Sequence, residues 1–297
     1  MFHVEHYIKI HVLEQEKKLY KGLKPFLNCI DHTVSNESYE VMINNNYDML
    51  ITSPVPSNLH DYYLSDNYIS HTDSKKSLFD KIYQIVKNHT LKNKLKLINS
   101  FNPTEKKVLD IGAGTGDFLN ICKNNNWNIT GIEPSLKARE IAFKKNILLK
   151  EDIKEISSNR FDVITLWHVL EHIPNLIEYI NQIKKLLKPN GKLIIAVPNY
   201  KSYDAKFYKE FWAAYDVPRH LWHFSQSSIR KLFFEVDMKI EKILPMKFDS
   251  FYVSLLSEKY KSNKSKPISA FYRGLKSNIK AKRNNEYSSL IYILKNN

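Results

Sequence analysis

Two groups of residues in this 297-residue chain have types and spacings that could do chemistry. The first is Val108-Leu109-Asp110-Ile111-Gly112-Ala113-Gly114-Thr115-Gly116, a short apolar run ending in an acid and continuing into three alternate glycines. The chain has seven glycines, and three of them fall within these five positions, a concentration that a merely flexible loop does not explain. Glycine in a strand-to-helix turn lets the backbone approach a ligand that a Cβ would exclude. A dinucleotide fingerprint would need a further glycine at position 117, where Asp117 stands, and a phosphate loop would need Gly-Lys-Ser/Thr at its end. The second group is proton-handling. Trp167-His168-Val169-Leu170-Glu171-His172 sets His168, Glu171 and His172 at i, i+3 and i+4, one face of a helical turn. Arg219-His220-Leu221-Trp222-His223 follows, with Trp212 a few residues earlier. Histidine can take a proton near neutral pH, arginine can clamp an anion, and tryptophan can shape an apolar pocket. His168, His172, His220 and His223 are therefore the candidate proton acceptors, and Trp212, Arg219 and Trp222 the candidate acceptor contacts.

The elements that must position these groups alternate regularly. After the glycine turn the pattern gives a helix from Asp117 to about Asn124, a strand Asn128–Ile132 and a helix from Ser135 to Lys145. A strand Phe161–Leu166 and a helix Leu176–Leu187 follow. Short strands alternating with helices imply an α/β fold with a parallel sheet covered on both faces. Its ligand should sit outside the carboxyl ends of the strands.

The D-x-G-x-G-x-G string resembles motif I of the class I S-adenosylmethionine-dependent methyltransferases. Glu133-Pro134 after the second strand, Glu151-Asp152-Ile153, Phe161–Leu166 and Leu187-Lys188-Pro189-Asn190-Gly191 into a fifth strand agree in order and spacing, over about residues 101–297. The resemblance implies S-adenosylmethionine as cofactor, with Glu133 on the ribose hydroxyls and Asp152 near the adenine. Asp110, Gly112, Gly114, Gly116, Phe118, Pro134, Ile153 and Trp167 complete the implied cofactor site. It also implies a Rossmann-like doubly wound sheet of seven strands. The last, Ser288–Leu294, is antiparallel between strand five and a strand near Lys239–Pro245. A helical insertion is expected at about 247–285. In some related enzymes an E-x-x-E-H group with a later histidine binds a divalent metal. Here His168, Glu171, His172 and His223 would be that set, and the reading adopted assigns no metal. The same H-x-x-E-H string occurs in metalloproteases, but here it follows a strand inside an α/β unit.

Residues 1–57 resemble the zinc-ribbon-like module of a bacterial methyltransferase group. Cys29 and His32 are the most that remains of its ligands. Two ligands cannot satisfy tetrahedral zinc, so a degenerate module without metal is expected, within a mostly helical N-terminal extension. Residues 58–100 are expected to form a lid and a helix. By the same resemblance Tyr62, Tyr68 and His71 are candidates to face the ligand; the alternative is that the tyrosines pack with wet hydroxyls.

Bulk composition bounds the rest. Apolar content of 43% supports a buried core, and two cysteines give no disulfide framework. No apolar run approaches the roughly 18 residues of a membrane span. The terminus MFHVEHYIKI lacks a signal peptide's apolar stretch, so a soluble cytoplasmic protein is expected. The net charge of +14 rests on 39 Lys and six Arg. From Lys259 onward there are ten basic residues and one acid, Glu286. That basic stretch is more simply a solvated face than a nucleic-acid patch, and it could also meet anionic lipid. The expected function is methyl transfer to a small lipid-, quinone- or sugar-like acceptor, with oxygen favoured over carbon or nitrogen. An RNA or protein methyltransferase using the basic stretch, or a non-catalytic protein keeping the cofactor fold, are the alternatives.

Overall fold

The computed structural model describes residues 12, 14–63, 78–156 and 160–297. The first three strands are β1 (Lys24–Ile30), β2 (Ser38–Asn44) and β3 (Met49–Ser53), paired antiparallel as a meander. The N-terminal extension is therefore mainly a sheet, and the expectation of a mostly helical one is corrected. The asparagine-rich run that reads as loop is the turn between β2 and β3. Asn44 Oδ1 accepts from the N–H groups of Asn46 (2.9 Å) and Tyr47 (3.2 Å), and Asp48 takes a φ of +53°. Asn and Asp hydrogen-bond their own backbone ahead and tolerate this left-handed region.

The remainder runs α1 (Leu78–Asn99), β4 (Lys107–Ile111), α2 (Asp117–Lys123), β5 (Asn128–Ile132) and α3 (Leu136–Phe143). Then come β6 (Phe161–Trp167), α4 (Leu176–Leu186), β7 (Leu187–Pro198), α5 (Tyr203–Tyr208) and β8 (Trp222–His223). The chain ends with α6 (Gln226–Glu235), β9 (Met238–Pro245), α7 (Asp249–Ser262), α8 (Pro267–Asn284) and β10 (Ser289–Asn296). The main sheet has the order β5-β4-β6-β7-β10-β9. β4, β5, β6 and β7 are parallel, and β10 is antiparallel to both β7 and β9. Among the described residues this sheet has six strands, not the seven expected. Where the seventh would lie there is a single bridge, Ile132 to Lys150. The chain then turns at Asp152, whose side chain caps the 3-10 turn Ile153–Glu155.

Val108, Leu109, Ile164, Leu193 and Ile194 have no solvent exposure. Strands buried on both faces are what helix-covered parallel sheets require, and each such side chain contributes roughly 1.5–3 kcal/mol. A second sheet joins the parts. β8, in the loop after β7, pairs with β3 through Leu50–His223 and Ile51–Trp222. The N-terminal meander is thereby fixed to the stretch that carries the later histidines.

Candidate active site

The glycine turn follows β4 directly. The N–H groups of Gly112 and Ala113 donate to the Ile132 carbonyl at 2.8 and 2.9 Å, tying the turn to the end of β5. Gly112, Gly114 and Gly116 have φ of +70°, +53° and +76°, and a Cβ on Gly112 would lie 2.4 Å from Val169 Cγ2. Only glycine meets both demands. Glu133 sits beside this turn. Its Oε2 accepts from Gly114 N–H at 2.8 Å and its Oε1 from Ser135 N–H at 2.9 Å. A carboxylate has about four lone-pair positions, so both oxygens keep capacity for a ligand's hydroxyls.

Asp110 is buried and accepts from Thr165 Oγ1 at 2.6 Å. Burial pushes its carboxyl up to about 7, against the Thr165 bond and the Lys94 charge. Lys94, on α1, lies with Nζ 4.2 Å from the Trp167 ring centroid. Burial lowers its ammonium to about 8, opposed by Asp110 and Asp249. The sequence gave no signal for Lys94, because a lysine on an amphipathic helix reads as solvent-facing. Trp167 Nε1 is buried and has no partner among the described residues, a donor that a bound ligand could satisfy. Phe118 is buried edge-on to Trp167, with centroids 5.8 Å apart. Ile153 is buried, Pro134 is exposed, and the exposed Asp152 accepts from Lys154 N–H at 2.8 Å.

Past β6, His168 adopts φ +58°, a left-handed conformation that a non-glycine residue holds only where its surroundings impose it. Its Nε2 lies 2.9 Å from Asp249 Oδ2 and its Nδ1 3.3 Å from Glu171 Oε1. Burial alone would lower this imidazole, but the Asp249 and Glu171 carboxylates outweigh it and raise it to about 10. His168 is thus a cation at neutral pH, and its expected role as proton acceptor is corrected. His223 is excluded for the opposite reason. It is buried against Thr52 Oγ1 at 3.0 Å, and burial depresses it to about 3.

His172 and His220 are the histidines that meet, with ring centroids 4.6 Å apart. His172 Nδ1 lies 3.0 Å from the Arg219 carbonyl, and His220 Nδ1 lies 2.9 Å from the Ala214 carbonyl. A carbonyl can only accept, so each Nδ1 carries the proton and each Nε2 presents a lone pair. Burial and the neighbouring His220 lower His172 to about 4, so it is neutral at ordinary pH. Glu171 is fully buried. Burial raises its carboxyl, but the His168 bond outweighs this and holds it low, while its Oε2 has no partner among the described residues. One ligand atom each from Glu171, His172 and His220 lies within 4.8 Å of the others. This set replaces the His168, Glu171, His172 and His223 grouping considered for a metal. The donors fit a divalent ion of mixed nitrogen and oxygen preference, since carbonyl-bound Nδ1–H groups orient imidazoles as metal ligands and the orphaned Oε2 lacks a partner.

The expected acceptor contacts are structural. Arg219 is 2% exposed and forks onto Asp216, with Nε 3.0 Å from Oδ2 and Nη2 2.6 Å from Oδ1. The same Nη2 reaches Asp31 Oδ1 at 3.3 Å and Thr33 Oγ1, locking the loop to the meander. It is not available to clamp a substrate anion. Trp212 Nε1 donates to Asp204 Oδ2 at 2.8 Å, and Trp222 Nε1 to the Ile173 carbonyl at 2.7 Å; both rings are core. Tyr62 is buried and donates to Glu37 Oε2 at 2.7 Å. Tyr68 and His71 lie outside the described residues.

Burial pushes both Arg219 partners up. The Ser35 and Thr33 bonds to Asp31 and the Arg219 charge beside Asp216 outweigh it and hold both carboxyls below the usual range. Their stabilisation is complete above the unfolded pKa near 4 and is lost as pH falls through the lower folded values. Arg219→Leu leaves two buried carboxylates without their cation, and a loss of about 3–5 kcal/mol is expected at pH 7. That deficit should shrink towards pH 4, where protonation relieves the unpaired charge. Urea unfolding at both pH values measures it, and a deficit below about 1 kcal/mol at pH 7 contradicts the tie.

A family model described as a methyltransferase domain matches residues 83–243. The ubiquinone biosynthesis O-methyltransferase of Histophilus somni is 34% identical over 110 residues, 32% of this chain and 46% of that one. That of Rickettsia felis is 26% identical over 170 residues, 52% of this chain and 69% of that one. The match to the first of these spans about half the relative's length. Among solved structures, the magnesium protoporphyrin IX methyltransferase of Synechocystis PCC 6803, with S-adenosylhomocysteine bound, aligns with a TM-score of 0.55 and 14% identity. It covers 81% of this chain and 99% of that one, a likeness of fold.

Proposed function

As the chain belongs to the class I S-adenosylmethionine-dependent methyltransferase family, we propose that it methylates a hydroxyl oxygen of a small, quinone-like acceptor. The observation that carries this is the convergence of Glu171, His172 and His220, two tautomer-fixed imidazoles and a buried carboxylate, just past the strand that ends at Trp167. That is a C-terminal strand edge, where α/β sheets hold ligands. The ubiquinone-pathway relatives support the quinone-like class.

Bound S-adenosylmethionine supplies a methyl group on a sulfonium, which leaves as a neutral thioether. The chain's residues bind, align and take a proton. Glu133 and the Gly114 turn hold the ribose, and Asp110 with the Trp167 ring provides an acid and a π-face that suit a cation. A hydroxyl beside the histidine pair gives its proton to a free Nε2, and its oxygen electron pair then attacks the methyl carbon in line. Alternatively Glu171, His172 and His220 would hold a divalent ion, which would polarise that hydroxyl. The test is to incubate the protein with S-adenosylmethionine and a catechol or demethylated quinol, with and without EDTA, and to measure S-adenosylhomocysteine. Turnover that depends on the phenolic acceptor is expected. Cofactor binding without turnover of any phenol would overturn the oxygen-transfer reading.

A further inference from the structure

Helix α8 is built with its large apolar residues outward. Its inward face carries small residues, Ala270, Gly274, Ser277 and Ala281, all buried. At Gly274 a Cβ would come within 2.9 Å of the Phe251 Cα, so α7 and α8 pack backbone to backbone. The opposite face shows Ile268 (86% exposed), Phe271 (61%), Tyr272 (56%), Leu275 (41%) and Ile279 (52%). These fall at i, i+3, i+4, i+7 and i+11, one stripe along the helix. A soluble surface does not ordinarily order large apolar side chains into such a stripe. The surrounding charge is one-sided, because residues 259–284 contain nine Lys or Arg and no Asp or Glu.

We propose that this face of α8 docks on an anionic lipid bilayer. An apolar stripe bordered by cations is the pattern of a helix lying in the membrane interface, with apolar side chains in the acyl boundary and lysines at the headgroups. The charge argues against a second copy of the chain, which would bring the same cations against themselves. It also favours lipid over nucleic acid, since Ile268, Leu275 and Ile279 have no plane to stack on bases. Among the described residues no helix is long and apolar enough to cross a membrane, so the contact is peripheral. The hairpin that carries this face also reaches the active site, because α7 begins at Asp249, the partner of His168.

The full-length protein should co-sediment with vesicles of phosphatidylglycerol and phosphatidylcholine, and the binding should weaken with salt. Phe271→Ser with Ile279→Ser should weaken it about 100-fold, both side chains being exposed and removable without opening the core. Lys282→Gln with Arg283→Gln should weaken it roughly tenfold or more on anionic vesicles only. Circular dichroism and cofactor affinity should not change in either variant. Vesicle binding by the Phe271/Ile279 variant equal to that of the parent would overturn the proposal. So would a dimer of the parent that this variant converts to monomer without any vesicle binding.

Discussion

Glu171→Gln protein is expected to keep its cofactor affinity and to lose about 10³-fold in kcat. Glu171 is fully buried, yet one of its carboxylate oxygens has no partner among the described residues. A buried unsatisfied oxygen costs on the order of 1–3 kcal/mol, so its retention points to something it meets during function. Glutamine preserves volume and can still accept from His168 through one oxygen. It removes the negative charge that would steady an imidazolium on His172 or His220, or that would bind a cation. Both roles lie in the reaction and not in cofactor binding, which is why kcat and cofactor affinity should separate. Single-turnover rates, calorimetry with S-adenosylmethionine and a thermal melt on the same preparation decide it. A kcat within a few-fold of the parent would remove Glu171 from the chemistry. Metal analysis of parent and variant tells the two roles apart, since only a ligand role predicts metal in the parent and its loss in the variant.

The second large effect is at the cofactor. Glu133→Ala should weaken S-adenosylmethionine and S-adenosylhomocysteine about equally, by about 100-fold or more. Equal loss is expected because both carry the ribose and only one carries the methyl. The carboxylate takes the Gly114 N–H on one oxygen and the Ser135 N–H on the other, so it shapes the glycine turn while offering its remaining lone pairs to the ribose. Glu133→Gln should also be impaired, since its amide nitrogen would face one of those two N–H donors. Undiminished affinity in Glu133→Ala would show that the pocket binds some other ligand or none. Loss of one ligand only would shift the contact from the ribose to the methyl end.

What the sequence determined by itself was local. Asp110, the glycines at 112, 114 and 116, and Glu133 lie within 24 residues, and their conformations follow from φ preferences and from pairing of adjacent strands. The order of strands and helices was legible for the same reason, as was the antiparallel last strand, whose apolar run admits only a buried position. The N-terminal meander was obscured because its strands are at most seven residues long and their turn is written in asparagine. The roles of the polar residues were decided by tertiary structure. His168 was turned from base to cation by Asp249, 81 positions later, and Arg219 from substrate clamp to structural tie by Asp31, 188 positions earlier. His223 was silenced by burial against β3, and His172 was paired with His220 by the return of the loop after β7. A side chain's type sets which charges and hydrogen bonds it can form. Which of them it does form depends on partners and on burial, and both are settled only when distant segments pack.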